Sequence, residues 1–333
     1  MKLRIGVIGT GFGARVVAPI FDALDGCEVA EVVSARDDAG AAALCERGDL
    51  DLVCVHSPPF LHAAHVRRAL AGEHAVLCDK PFARDAGEAE TLVGAADAAE
   101  CLNLCNFEFR YHPIRELVRT LVADGAVGTP EHVSWTHYSS GSRIPLRRHG
   151  WLFERALGGG WIGAWGAHAV DFLRWAFGEV TEATATCRVT IGERPDAEGR
   201  MHPCDAEDAF TASLVAAGVT VAIDTSFAAS VALAPRLSIV GSEGVLECVA
   251  DTRVVVRSTD GTTTEHVQPV TSGDRHLEPM RRWAGVVRDA LVEGIAPAGA
   301  PTFADGLACA RVLDRLRAGA EPSPTPGRLG PLG

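Results

Sequence analysis

Leu3-Arg4-Ile5-Gly6-Val7-Ile8 runs directly into Gly9-Thr10-Gly11-Phe12-Gly13-Ala14. An apolar run of strand length meets a glycine-rich turn, and a helical stretch follows to about Leu24. The turn fits G-x-G-x-x-G/A, with Gly9, Gly11 and Ala14 at the small-residue positions. Gly9 permits the tight turn, and Gly11 lets the backbone come close to a diphosphate. The helix start then presents free N–H groups to the same anion. Thr10, Phe12 and Gly13 complete the loop. Strand before and helix after make dinucleotide binding the expectation. A tight strand–helix turn without ligand is the alternative.

Working outward, residues 28–34 read as a second strand and the Ala-rich residues 38–47 as a helix. Residues 51–56 form a strand that stops at Ser57-Pro58-Pro59. Residues 61–71 are helical, 74–78 a buried strand ending in Asp79-Lys80-Pro81, 85–99 a helix and 101–106 a strand. This alternation predicts an α/β fold whose N-terminal domain, residues 1–125, is a Rossmann doubly wound parallel sheet. The pattern then changes. Residues 130–138, 180–191, 206–215, 218–228, 235–241, 243–249, 252–258 and 262–268 read as strands. They predict a C-terminal α+β domain, residues 126–320, built on a large, mostly antiparallel open sheet. Val219, Val221, Ile223 and Phe227 share one face of a strand, and Thr220, Ala222, Asp224 and Ser226 the other. A helix at about 160–177 is suited to cover the apolar face. Helices at about 278–293 and 302–318 close the domain. Residues 321–333, rich in Pro and Gly, are expected to be disordered.

The chain has 333 residues, a formal net charge of −12 and 47% hydrophobic residues. The negative charge argues against nucleic-acid and anionic-membrane partners, which need clustered Lys and Arg. The N-terminus shows no signal-peptide pattern and no apolar run reaches membrane-span length, so a cytoplasmic location is expected. Ten cysteines include no CxxC pair and fall mostly in apolar runs, so no metal is expected and they read as small buried hydrophobes. Only two lysines, Lys2 and Lys80, occur among 31 basic side chains. An interior lysine in such a sequence hints at a task closed to Arg, which stays charged in proteins.

Two further stretches bear on chemistry. The end of the second strand, Val33-Ser34-Ala35-Arg36, lacks the acid that would hold the ribose 2′-hydroxyl of NAD. Ser34 and Arg36 suit a 2′-phosphate, which favours NADP over NAD. The alternative makes Arg36 a solvated cation and Asp37 the reader. Lys80 stands at the carboxyl end of a parallel strand, the edge where such sheets bind ligands. There it can donate to a substrate oxygen or take part in proton transfer. An ordinary strand-end surface lysine is the alternative.

These motifs occur in one order with Asn106 to Pro113 (NFEFRYHP) and Gly158-Gly159-Gly160-Trp161 through Asp171 (GGGWIGAWGAHAVD). Together they resemble the glucose–fructose oxidoreductase / inositol dehydrogenase (Gfo/Idh/MocA) family over nearly the whole chain. The resemblance implies hydride transfer between NAD(P) and a secondary alcohol or ketone carbon of a sugar, sugar derivative or cyclitol. It implies Lys80 and His168 as the catalytic pair, and Ser57, Pro58, His62 and Asp79 beside the cofactor. Glu108, Tyr111 and His149 are candidate groups around the substrate. Asp171 is a candidate to hold the His168 imidazole or cap local structure. Trp151 and Trp161 are candidates to stack on a sugar-like ring, with core packing as the alternative. A lone His on the amphipathic helix carrying His168 reads equally as a core residue. Many members carry an Asp four residues before the helix histidine; here that position is Ala164. The segment between the second strand and Asp51 is also shorter than usual in the family. A non-redox scaffold or sensor, or a redox-neutral enzyme holding its cofactor tightly, is the rival reading. A homo-oligomer through the small, polar sheet face is expected.

Overall fold

The computed structural model describes residues 2–268 and 273–318. These divide into two compact units, residues 2–116 with 273–311 and residues 117–268 with 312–318.

In the first unit β1 (Leu3–Ile8), β2 (Cys27–Val33), β3 (Leu52–Val55), β4 (Ala75–Asp79) and β5 (Asn103–Asn106) form a parallel sheet in the order β2-β1-β3-β4-β5. Every residue of β3 is buried, as its unbroken apolar sequence requires of a strand covered on both faces. Between the strands lie α1 (Ala18–Asp22), α2 (Asp38–Cys45), α3 (Pro59–Ala71) and α4 (Ala86–Ala99). The first helical turn after the glycine loop, Gly13–Val17, is π-helical. Helix α5 (Pro113–Ala123) follows.

The second unit is built on an eight-stranded sheet. Its strands are β6 (Pro130–Tyr138), β7 (Val180–Arg188), β10 (Ala209–Ala216), β11 (Val219–Ser226), β12 (Arg236–Gly241), β13 (Gly244–Val249), β14 (Arg253–Ser258) and β15 (Thr263–Val267). The order is β15-β14-β13-β12-β6-β11-β10-β7, antiparallel except at the β6–β11 pair. Along β11, Val219, Val221, Ile223 and Thr225 are buried, while Thr220, Ala222 and Asp224 are exposed. Helix α6 (Ala167–Phe177) covers the apolar face, where Trp135 of β6 meets Trp165 and Phe172 edge-on at 5.4 and 5.5 Å.

The expected fold class is therefore observed, with three differences. Two short strands, β8 (Glu193–Pro195) and β9 (Met201–Pro203), form a separate hairpin. Arms of three residues that contain prolines leave no period to read. Second, the strands expected over 180–191 and 206–215 are shorter at the ends facing each other in sequence. The Asp208 carboxylate accepts from Thr190 N (2.7 Å) and Ile191 N (3.1 Å), replacing ladder bonds there.

Third, of the two helices expected to close the C-terminal domain, α7 (Leu277–Glu293) is placed otherwise, while α8 (Phe303–Ala318) is divided, its residues from Val312 belonging to the second unit. Met280, Trp283, Ala284 and Val287 of α7 share one core with Ile5, Val7 and Phe21 of the first unit. Phe303 of α8 packs on Phe82 with ring centroids 4.4 Å apart. The apolar face of α7 is covered by elements from the opposite end of the chain, which sequence order does not reveal. The tail from residue 321, expected to be disordered, lies outside the described residues. Among the described residues, no helix is long and apolar enough to cross a membrane.

Candidate functional site

In the glycine turn Gly9 has φ +135°, and a Cβ there would lie 2.8 Å from the His56 carbonyl carbon. No side chain fits that approach. At Gly13 a Cβ would press on His56 Cβ and Val7 Cγ1, both at 3.0 Å. At Gly11 a Cβ would meet no atom within 4 Å. Two glycines thus hold the turn against β1 and β3, while the middle one faces open space. Ala14 N donates to Gly9 O (3.0 Å) and Arg15 N to Gly11 O (3.2 Å). Among the described residues, the N–H groups of Thr10 and Gly11 find no acceptor. Unsatisfied amides beside a glycine that admits close approach fit a dinucleotide diphosphate.

The carboxyl ends of β3, β4 and β5 meet beside this turn. Asp79 closes β4, and its Oδ1 accepts from Lys80 N (3.0 Å) and Asn106 Nδ2 (3.2 Å). Its Oδ2 lies 3.4 Å from Nδ1 of His56, whose side chain is fully buried. Burial by itself pushes the Asp79 pKa up. Contact with the His56 ring, together with the charge of Lys80, outweighs that and holds the carboxyl well below the usual carboxylate range. Asp79 is thus favoured in its ionised form, and it pins the backbone of the half-buried Lys80.

Ser57 and Pro58 form the turn after β3. Ser57 Oγ is 3.0 Å from His65 Nδ1, and Pro58 caps α3. His62, expected beside the cofactor, is fully buried. Its Nε2 lies 2.7 Å from Ser57 O and its Nδ1 3.1 Å from Phe82 O. Burial pushes its pKa down, so the neutral ring has one N–H for two carbonyls. The structure gives it a bracing position between the Ser57 and Pro81–Phe82 turns.

Beyond β2, Ser34 Oγ accepts from Arg36 N (3.2 Å), and Arg36 is exposed. Asp37 is engaged elsewhere. It is the N-cap of α2, accepting from Gly40 N at 3.0 Å. Gly9 N donates to Val33 O (2.9 Å), which joins the glycine turn to the end of β2. Glu108 is 1% exposed, and its Oε1 lies 2.7 Å from His276 Nδ1. Tyr111 stacks on Trp283 at 4.8 Å.

In the second unit the glycine run precedes the helix that carries His168. Gly158 and Gly160 have φ +74° and +106°. A Cβ on Gly159 would lie 2.7 Å from the Leu152 carbonyl carbon, and one on Gly160 2.6 Å from the Glu207 carboxyl carbon. At Gly160 the close neighbour is Glu207. Its Oε1 accepts from Ile162 N (3.0 Å), and its backbone oxygen accepts from Trp161 N (2.7 Å). It caps the π-helical turn Ile162–Gly166 from which α6 continues. His168 and Asp171 on α6 are 4% and 3% exposed. Ala164 lies within the π-helical turn. Trp161 stacks on Phe227 at 4.3 Å and donates Nε1–H to Thr225 Oγ1 (2.9 Å), a core position. Trp151 is half-buried. His149 stacks on His202 at 5.1 Å, its Nε2 3.2 Å from Pro203 O.

Sequence reading missed His56, Glu207 and His276. His56 carried one signal, a polar ring closing an otherwise apolar buried strand. The other two act through partners distant in sequence. Among the described residues no group of three or more His, Cys, Asp or Glu is placed to hold a metal ion.

Glu207 yields a pH prediction. Burial raises its carboxyl pKa, against the opposing charge of Arg317 and the Ile162 N–H. A raised folded pKa favours folding below the unfolded value, about 4.3, and that contribution is lost as pH rises through the folded value. Glu207→Gln keeps the acceptor without the charge. It is expected to match wild-type stability in acid and to equal or exceed it at neutral pH, flattening the dependence of the urea midpoint on pH. Glu207→Ala is expected to lose about 1–2 kcal/mol of helix capping at every pH.

Comparisons with known proteins give this geometry a context. A family model described as "Oxidoreductase family, NAD-binding Rossmann fold" matches residues 3–107, and one described as "GFO/IDH/MocA C-terminal domain" matches residues 116–247. An uncharacterized oxidoreductase of Synechocystis sp. is 33% identical over 271 residues, 75% of this chain and 72% of the relative. D-Apiose dehydrogenase of Paraburkholderia graminis is 28% identical over 319 residues, 87% of this chain and 76% of the relative. A solved structure of levoglucosan dehydrogenase in complex with NADH and L-sorbose has a TM-score of 0.85 at 19% identity, covering 96% of each chain, a likeness of fold. Models of one family thus match most of the chain, and a relative agrees along most of its own length: the chain belongs to the Gfo/Idh/MocA oxidoreductases, with an NAD-binding Rossmann domain.

Proposed function

We propose that this chain is an NAD(P)-dependent dehydrogenase or reductase acting on a secondary CH–OH or ketone carbon of a sugar, sugar derivative or cyclitol. The observation that carries the reading is Lys80 at the carboxyl end of β4, its backbone pinned by Asp79 beside the glycine turn. A bound nicotinamide would supply the hydride chemistry at the carbinol or ketone carbon. The residues of Gly9–Ala14 receive the diphosphate, and Ser57, Pro58 and Asp79 shape the turns beside it. In oxidation the carbinol C–H and O–H bonds break and a C=O bond forms. Lys80 donates to the reacting oxygen, and His168 accepts the hydroxyl proton; in reduction both roles reverse. Asp171, Tyr111, His149 and Trp151 remain the candidates to line the substrate. The D-apiose and levoglucosan dehydrogenases among the relatives support a sugar-like substrate. The exposed Thr220, Ala222 and Asp224 of β11 support association of copies through that face.

We further propose NADP as the preferred cofactor, because Asp37 is committed to capping α2 while Arg36 is exposed at the end of β2. Calorimetric titration is expected to show NADPH binding about ten-fold tighter than NADH, the scale of one charge-assisted phosphate contact (~1.4 kcal/mol). Arg36→Ala is expected to narrow that gap. Equal wild-type affinities would contradict the preference.

A further inference from the structure

Phe12 lies in the glycine turn, and two imidazoles pack against it. His56 is 5.9 Å away, centroid to centroid, and tilted by 56°. His276 is 5.4 Å away and edge-on at 74°. The two histidines differ in access. The His56 side chain is fully buried, whereas that of His276 is 24% exposed.

His276 is held from three directions. Glu108 Oε1 lies 2.7 Å from its Nδ1, and the Glu108 side chain is 1% exposed. Phe109 stacks on its face at 4.9 Å and 28°. Asp274 Oδ1 accepts from its backbone N–H at 3.0 Å. Two cations attend the Phe109 ring, Arg115 at 4.5 Å and Arg275 at 5.5 Å. The buried Glu108 carboxyl group facing Nδ1 fixes the orientation of the ring. A ring so fixed is an oriented group, and it touches the residue around which the phosphate-receiving turn is built.

We propose that the Glu108–His276 pair is a second anchor for the dinucleotide, with His276 engaging its diphosphate across Phe12. The proposal rests on the dinucleotide reading given above and extends it. It moves Glu108 from substrate contact to a positioning residue that acts through His276. It also gives a reason for α7 to pack in the first unit, since α7 begins at Leu277, directly after the histidine.

The test is equilibrium titration of the full-length protein with NADPH, NADH and ADP-ribose, which carries the diphosphate but no nicotinamide. His276→Ala is expected to weaken ADP-ribose and the preferred dinucleotide alike, by about ten-fold, the scale of one charge-assisted hydrogen bond. The salt dependence of Kd is expected to become shallower, which a purely structural role would not produce. Glu108→Gln keeps the shape and is expected to shift both readouts the same way by less. Circular dichroism and melting confirm that each variant is folded. Unchanged affinity in folded His276→Ala overturns the proposal. So does a loss confined to the dinucleotides with ADP-ribose unaffected, or a loss with an unchanged salt slope. Failure of the wild type to bind any of the three ligands would instead overturn the dinucleotide reading itself.

Discussion

Lys80→Arg is expected to lower kcat by roughly 10²-fold or more, the usual scale for a group acting in proton transfer. The substitution keeps a positive charge on a long stem, so dinucleotide affinity is expected to survive. Asp79 Oδ1 accepts from the backbone N–H at this position, a bond the substitution keeps, so the turn itself should also be kept. What changes is the donor. A compact ammonium able to release its proton is replaced by a planar guanidinium that stays charged. If Lys80 only positions substrate, KM rises and kcat stays. If it acts in the transition state, kcat and kcat/KM fall together. Steady-state kinetics on any accepted polyol, with nucleotide titrations in parallel, separates these outcomes. Wild-type kcat in Lys80→Arg would refute the role.

Gly160→Ala is expected to destabilise the protein by about 2–4 kcal/mol, combining a positive-φ penalty with forced displacement of a buried group. The residue has φ +106°, and its Cβ would stand 2.6 Å from the Glu207 carboxyl carbon. Relief requires Glu207 to withdraw from Ile162 N, which uncaps the turn leading to His168. A fall in kcat should therefore accompany the fall in stability. Gly150 provides the control. Its backbone is extended at φ 171°, and a Cβ there meets nothing within 4 Å. Gly150→Ala is expected to change the urea midpoint little. Equal effects at the two glycines would show that the run is a flexible connector rather than a packed support.

Local physics explains which features could be read from sequence. The β1–turn–α1 unit is legible because glycine spacing and strand length fall within a few residues of each other. The alternation along β11 is legible because one face is buried and the other is not. Apart from the short β8–β9 hairpin, the features that were not legible depend on partners remote in sequence. Nothing in Leu277–Glu293 says that Trp283 packs with Ile5 and Phe21 instead of with the nearer strands. Nothing near Glu207 says that its carboxylate caps a turn 45 residues earlier. The same holds for Glu108 and His276, separated by 168 residues. Trp161 shows the converse. Its place in the glycine run leaves stacking on a ligand ring and core packing both open, and its indole stacks on Phe227 and hydrogen-bonds Thr225.

The central claim is hydride transfer between a nicotinamide and a carbinol carbon, and isotope transfer tests it most directly. The wild-type protein would be incubated with NADP⁺ or NAD⁺ and with sugars and cyclitols deuterated at their secondary carbinol carbons. The account predicts that an accepted substrate reduces the nicotinamide, that the deuterium appears on the reduced cofactor, and that Lys80→Arg slows this step. Conversion of a substrate with its deuterium lost to water, or with the nicotinamide unchanged in redox state throughout turnover, would contradict it.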